Sequence, residues 1–358
     1  MPVHVNLGPR SYDIEIGTGT LSQLARRTDD WASLSHAVLI TDGHLEATHA
    51  RAAAESFNNF GIDVDLLVIE PGETSKSVET ADALWNQMLA VGADRKSVVV
   101  AVGGGVIGDL AGFVAATFAR GLSLVQVPTT LLAMVDSAVG GKVGVNLPAA
   151  KNMVGAFWQP AGVLIDTAAL TTLPDREYRA GLAEVVKYGV ILDAEFFAFL
   201  EANVAKINSR DAATLETIIE RCCRLKADVV EQDEREETGL RAVLNYGHTF
   251  CHAIEAVSGY GELLHGEAVS IGMMCAARLA ERLGRIDATL GQRQHALLTA
   301  LKLPVDVPPL DHDALLAAMQ RDKKVEHGRL RFVLPTELGH VELVGDIDPA
   351  EVSAALVV

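Results

Sequence analysis

Short apolar runs alternate with amphipathic stretches through the first half of the chain. His36 to Thr41 (HAVLIT), Val64 to Ile69, Ser97 to Val102 and Leu122 to Val127 each read as strands, and Ser77 to Val91 carries a helical period between two of them. Strand and helix in alternation predict a largely parallel sheet covered on both faces. From about Pro174 the period changes. Arg179 to Ile191, Ala194 to Asn203, Ala212 to Glu231, Gly247 to Val257 and Gly266 to Leu283 all read as helices. Pro304, Pro308 and Pro309 mark a loop before a further helix over Leu310 to Gln320, and Leu330 to Val344 has room for short strands. The expected fold is an α/β domain over residues 1–173 followed by a mainly α-helical domain over 174–358. Val98 to Ala119 is the most apolar stretch. Its three consecutive glycines and Asp109 favour a buried strand running into a buried helix over a membrane span.

Charge narrows the partners. Asp plus Glu is 47 against 30 Lys plus Arg, a net charge of −17, which disfavours nucleic acid and anionic membranes. A small anionic substrate remains compatible, because a few local cations outweigh a distant net charge. The opening MPVHVNLGPRSYDIEIG has no basic segment followed by an apolar run, so no secretory signal is expected. Cys222, Cys223, Cys251 and Cys275 form no CxxC pair and suggest neither a disulfide framework nor a cysteine zinc site. A reduced cytoplasm is the expected compartment.

Three groups of residues carry candidate chemistry. Val98 to Val102 runs directly into Gly103, Gly104 and Gly105, and Gly103, Gly105 and Gly108 satisfy GxGxxG between a strand and a helix. Glycines let backbone approach a pyrophosphate, and the helix start offers free N–H groups to it. This makes the first domain Rossmann-like. No acidic residue ends the next strand, where the chain reads VQVPTT; Asp42, ending an earlier strand, is the alternative ribose ligand. Thr129 and Thr130 lie near the same edge, with a helix cap as their other reading.

The second group is cationic. The chain has 20 arginines but 10 lysines, and Lys142 (DSAVGGKVGVN), Lys151 (KNMVGAFWQP) and Lys187 (AEVVKYGVI) sit among glycines and apolar residues. Converging ammonium groups would hold a phosphate or carboxylate. In the third group, Glu184 and Lys187 share a helix face, as do His248 and His252, and His265 precedes a helix. Spacing nominates His248 and His252 as metal ligands, with Glu184 or His265 third, in a site of the open zinc type.

The segments GGGVIGDLAGFVAA, QVPTTLLAMVDSAVGGKVGVN, KNMVGAFWQP, AGLAEVVKYGVI, DEREETGLRAVLNYGHTFCHAIE and LHGEAVSIGM, in that order, resemble the 3-dehydroquinate synthase family. The resemblance runs from about Asp42 to Lys324. It implies NAD, one divalent metal (zinc or cobalt), and conversion of 3-deoxy-D-arabino-heptulosonate 7-phosphate to 3-dehydroquinate and phosphate. It implies Glu184, His248 and His265 as metal ligands and moves His252 to phosphate contact and proton relay. Asp42, Glu73, Lys76, Gly105, Val106, Ile107, Gly108, Asp109, Thr129, Thr130, Asp136, Thr171 and Thr172 would surround NAD. Lys142 and Lys151 would lie where nicotinamide and substrate meet. Lys187, Lys226, Arg241, Asn245 and Lys323 or Lys324 would hold the substrate; Asn152 and, from a partner subunit, Arg120 would bind phosphate. A homodimer follows from the resemblance alone. Cys251 stands where a glycine is common in the family. Sibling sugar phosphate cyclases and metal- and NAD-dependent polyol dehydrogenases are the alternative activities.

Overall fold

A computed structural model of the chain describes residues 2–26, 34, 36–148, 150–259, 261–320 and 330–357. Two compact units emerge. One combines Met1–Leu173 with Leu215–Arg235; the other combines Pro174–Thr214 with Glu236–Val358. The expected assignment of all of 174–358 to one helical domain therefore fails for 215–235, which pack with the first unit.

The first unit is built on seven strands. These are β1 (Val3–Val5), β2 (Tyr12–Gly17), β3 (His36–Asp42), β4 (Asp63–Ile69), β5 (Val98–Gly103), β6 (Ser123–Pro128) and, after a separate antiparallel hairpin of β7 (Lys142–Leu147) and β8 (Ala150–Phe157), β9 (Gly162–Asp166). Their spatial order is β1-β2-β9-β6-β5-β3-β4, parallel except for the β1–β2 pair. Helices α1 (Arg51–Asn58), α2 (Val78–Ala90) and α3 (Gly105–Thr117) connect them. Every residue of β5 is buried, because successive side chains enter two cores. Val99 and Ala101 pack with Leu84 and Met88 of α2 and Leu110 and Val114 of α3. Val98, Val100 and Val102 pack with Ala53 and Phe57 of α1. This is why VVVAV reads as a continuous apolar run and not as an alternation.

Chain order reverses between β3 and β5, since β4 lies beyond β3 and β6 beyond β5. Open α/β sheets bind ligands off the carboxyl ends of strands at such a switch point. Asp42 ends β3 and Gly103 ends β5, so two of the expected nucleotide contacts stand there. Gly103 is sterically required, because a Cβ would lie 2.5 Å from the Ile107 side chain in the first turn of α3.

The second unit holds α4 (Asp175–Leu192), α5 (Ala194–Ala202), α6 (Val204–Asn208) and the start of α7 (Ala212–Gln232). It continues with α8 (His248–Ser258), α9 (His265–Arg282), α10 (Ala288–Ala300), α11 (His312–Gln320), the antiparallel hairpin β10 (Arg331–Glu337) and β11 (His340–Gly345), and α12 (Pro349–Ala354). Helix α9 is its centre, packed by α4, α8, α10, α12 and β10, and is buried almost throughout. Among the described residues no helix is long and apolar enough to cross a membrane. The four cysteines are buried and form no disulfide.

Close helix approach depends on Gly266. A Cβ there would lie 1.8 Å from the Ala180 carbonyl oxygen of α4, which is rigid backbone. Gly266→Ala is expected to destabilise the protein by about 1–3 kcal/mol, the usual range for overpacking. Thermal unfolding checks this, and an unchanged midpoint would contradict the helix packing.

Candidate metal centre and nucleotide site

Three helices of the second unit bring the metal-type donors together. Glu184 comes from the buried middle of α4, His248 opens α8 and His265 opens α9. Their donor atoms all lie within 4.8 Å of one another. Glu184 Oε1 is 3.6 Å from His248 Nε2 and 3.8 Å from His265 Nε2. These gaps are too long for hydrogen bonds. They are close to the roughly 3.4 Å edge of a tetrahedron whose ligands stand 2.0–2.1 Å from a zinc-like ion.

Glu184 is fully buried, and among the described residues its Oε1 has no hydrogen-bond partner. Lys187, one turn along α4 and itself buried, sets its ammonium against Oε2 as an ion partner. A buried carboxylate with one oxygen facing two imidazole nitrogens is a donor set that a divalent cation fits. The His248 imidazole is oriented from behind. His248 Nδ1 lies 3.2 Å from the Tyr246 carbonyl oxygen, so a proton on Nδ1 leaves the Nε2 lone pair toward Glu184.

The start of α9 is clamped to the start of α4. Arg176 donates from Nε to Glu267 Oε1 and from Nη2 to Oε2, both at 2.8 Å. Glu267 Oε2 also accepts the Leu264 N–H at 2.8 Å, capping the helix at His265. Burial works upward on Glu267, but Arg176 and the Leu264 N–H outweigh it and hold the carboxyl below the usual range. The clamp joins residues 91 apart, so spacing along the chain does not reveal it.

His252, which spacing pairs with His248, does not converge with the donors. It lies one turn along α8, its ring edge-on to His248 with centroids 5.7 Å apart, and of the two only His248 joins Glu184 and His265 in the group whose donor atoms lie within 4.8 Å of one another. Arg241 and Asn245 lie on the 3-10 turn Leu240–Asn245 of the same unit. Arg241 is buried, with Nε 3.6 Å from Glu236 Oε1. Lys323 and Lys324 lie outside the described residues.

In the first unit, the glycine turn delivers Gly105, Val106, Ile107, Gly108 and Asp109 to the opening of α3, whose N-cap residue, Gly104, has no side chain to cap it. The N–H groups of a helix start without such a cap fit a pyrophosphate. Lys76 is buried beside it and donates to Asp109 Oδ2 at 2.5 Å and to Asn152 Oδ1 at 2.6 Å. Burial pushes the Asp109 carboxyl up; Lys76 opposes this, while Glu73 and Asp136 add like charge. Asn152 sits on β8 in the left-handed region (φ 54°), and its N–H donates to Asn146 Oδ1 at 2.9 Å. Asn146 Nδ2 in turn donates to Glu73 Oε1 at 2.7 Å.

Lys226, on the part of α7 that belongs to this unit, donates to Asp136 Oδ1 and to the Asp136 carbonyl, each at 2.6 Å. Thr129 N–H donates to the Gly103 carbonyl at 2.9 Å, and Thr130 Oγ1 accepts from the Ala133 N–H at 3.2 Å, so Thr130 does cap a helical turn. Thr171 and Thr172 donate to the carbonyls of Ala168 and Ala169, and Thr172 also meets His49 Nε2 at 3.2 Å. Lys142 and Lys151 stand on the β7–β8 hairpin, and Arg120 lies in a left-handed turn (φ 72°) after α3. Arg176 and Glu255 are polar residues around the metal-type cluster to which spacing assigned no role.

Comparison with known proteins places this arrangement. The family model for the 3-dehydroquinate synthase N-terminal part matches residues 66–180, and that for the C-terminal part matches residues 181–325. The 3-dehydroquinate synthase of Rhodopirellula baltica is 53% identical over 361 residues, covering 99% of this chain and 96% of that protein. Among solved structures, 2-deoxy-scyllo-inosose synthase complexed with carbaglucose-6-phosphate, NAD+ and Co2+ superposes with a TM-score of 0.89 at 28% identity, covering 99% of both chains. A 2-epi-5-epi-valiolone synthase from Streptomyces hygroscopicus with NAD+ and Zn2+ bound gives a TM-score of 0.87 at 31% identity, covering 96% of this chain and 95% of that one.

Proposed function

The chain belongs to the 3-dehydroquinate synthase family, and on that premise we propose that it converts 3-deoxy-D-arabino-heptulosonate 7-phosphate to 3-dehydroquinate and phosphate. The observation that carries this reading is the buried Glu184 carboxylate, ion-paired to Lys187 through Oε2 and facing two imidazole nitrogens through Oε1. Glu184, His248 and His265 are the ligands of one divalent cation, zinc or cobalt. The glycine turn and the start of α3 would hold NAD, Asp42 would serve its ribose, and Glu73, Lys76, Asp109, Thr129, Thr130, Asp136, Thr171 and Thr172 would complete its surroundings. When bound, the cation acidifies a substrate hydroxyl and the nicotinamide takes up a hydride and later returns it.

The chain's own residues hold and orient the substrate. Lys187 is fixed by the Glu184 carboxylate, so its ammonium is presented in one place with little entropy left to lose. The buried guanidinium of Arg241 suits a carboxylate or hydroxyls in planar, paired fashion, and Asn245 on the same turn adds an amide. Lys142, Lys151, Lys226 and one of Lys323 or Lys324 complete the substrate contacts. Asn152, His252 and Arg120 of a partner subunit hold the phosphate. The substrate's own phosphate can take the proton removed in β-elimination, so no separate side-chain base is needed. Ring opening and intramolecular aldol closure then require only that these contacts keep the product in one conformer. The protein works as a homodimer in the cytoplasm.

Phosphate release assayed across a panel of sugar phosphates tests the substrate. Turnover is expected with the heptulosonate phosphate, at least about 100-fold above glucose 6-phosphate, since a site built for a carboxylate rejects a substrate lacking it. Preference for glucose 6-phosphate would assign the chain to a sibling cyclase instead.

A further inference from the structure

The imidazole of His265 faces a second set of donors on its other edge. Cys251 Sγ lies 3.8 Å from Nδ1, Glu255 Oε1 lies 3.6 Å from Nδ1, and Cys251 Sγ lies 3.7 Å from Glu255 Oε2. Cys251 is fully buried and Glu255 nearly so, while His265 keeps a third of its side chain open. The three donor atoms fall within 4.8 Å of one another, as those of the first triangle do. The Nδ1 to carboxylate gap is too long for a hydrogen bond. Around a tetrahedral ion the expected edges are about 3.4 Å between nitrogen and oxygen and about 3.6 Å from either to a thiolate. The gaps from Nδ1 to Glu255 Oε1 and to Cys251 Sγ lie within a few tenths of an ångström of those edges, and the sulfur reaches the other carboxylate oxygen, Oε2, at 3.7 Å.

We propose that Cys251, Glu255 and His265 Nδ1 form a second, thiolate-containing site for a soft divalent cation, cadmium or excess zinc, and that its occupation inhibits the enzyme. The donor set selects the ion, because a thiolate favours soft or borderline cations over magnesium or calcium. Binding there releases the thiol proton to solvent and keeps the imidazole proton on Nε2. That nitrogen then faces Glu184 as a donor, with no lone pair to give. A neutral His265 can serve one triangle at a time, so filling the second removes a ligand from the first. The inhibitory half of this inference rests on His265 being a ligand of the catalytic ion; the second site itself does not.

Holoenzyme loaded with Co2+ and NAD, titrated with Cd2+, tests both halves. Wild type should develop the ultraviolet thiolate-to-cadmium charge-transfer band, saturating at one equivalent, with a parallel change in the visible Co2+ bands and loss of turnover. Cys251→Ala should lose the charge-transfer band and keep its turnover through the same additions. Glu255→Gln, which preserves volume, should shift the titration to higher Cd2+. Absence of the band in wild type would overturn the second site. Equal inhibition of wild type and Cys251→Ala would place the cadmium in the Glu184 triangle and also overturn it. Failure to bind Co2+ at all would instead count against the catalytic metal assignment, so the two ideas fail separately.

Discussion

Glu184→Ala should lose its divalent ion and its turnover together, with kcat/KM falling about 1,000-fold or more. The argument has two parts. An ion that polarises the substrate contributes several kcal/mol of charge stabilisation in the transition state. At 1.36 kcal/mol per tenfold, roughly 4 kcal/mol corresponds to about three orders of magnitude. The second part concerns Lys187, a residue 1% exposed whose ammonium is ion-paired to Glu184. Removing one member of a buried pair leaves an uncompensated charge and costs about 3–5 kcal/mol of stability. The single variant should therefore also melt earlier. Glu184→Ala combined with Lys187→Met removes both charges; it should recover much of the melting temperature and none of the activity. Elemental analysis, thermal unfolding and steady-state rates on the two variants check this. A Glu184→Ala protein that retains stoichiometric metal and wild-type turnover would refute the ligand assignment.

That prediction uses residues whose neighbourhood was only half legible along the chain. The β5–α3 junction could be read because five apolar residues followed by three glycines have few other uses, and β5 is buried on both faces as such a run requires. Helices α4, α8 and α9 announced themselves by period. The choice of ligands was harder. His248 and His252 share a face of α8, yet the donors meet at the helix start, and only the arrival of α4 and α9 decides between the two. The hairpin of β7 and β8 escaped the pattern because Gly144 and Gly155 face each other across it. A Cβ on Gly155 would lie 2.3 Å from the Val143 carbonyl oxygen, so the position that would have signalled a strand must be bare. The packing of 215–235 with the first unit has no local cue at all, since an amphipathic helix does not state which apolar face it will cover.

Enzyme stripped of nucleotide and then treated with a chelator should be inert toward the heptulosonate phosphate, and only NAD and the divalent ion together should restore it. The reason is chemical. Elimination of phosphate needs an acidic C–H, which the substrate has only beside a ketone, and no side chain in either cluster can oxidise an alcohol. The four cysteines are buried and form no disulfide that could act as an oxidant, and the remaining groups are amines, carboxylates, imidazoles and amides without redox chemistry. Because the hydride is returned, NADH absorbance should stay flat during turnover, whereas a polyol dehydrogenase would accumulate NADH in step with product. Binding should also be visible without turnover. A ligand present at 100 times its Kd stabilises the folded state by about 2.7 kcal/mol, so NAD alone should raise the melting temperature of the stripped protein. Lys76→Ala should blunt that rise, because it leaves Asp109 without its cation beside the start of α3. Full cyclisation by the depleted preparation would eliminate the redox route, and a melting temperature indifferent to NAD would remove the glycine turn as its site.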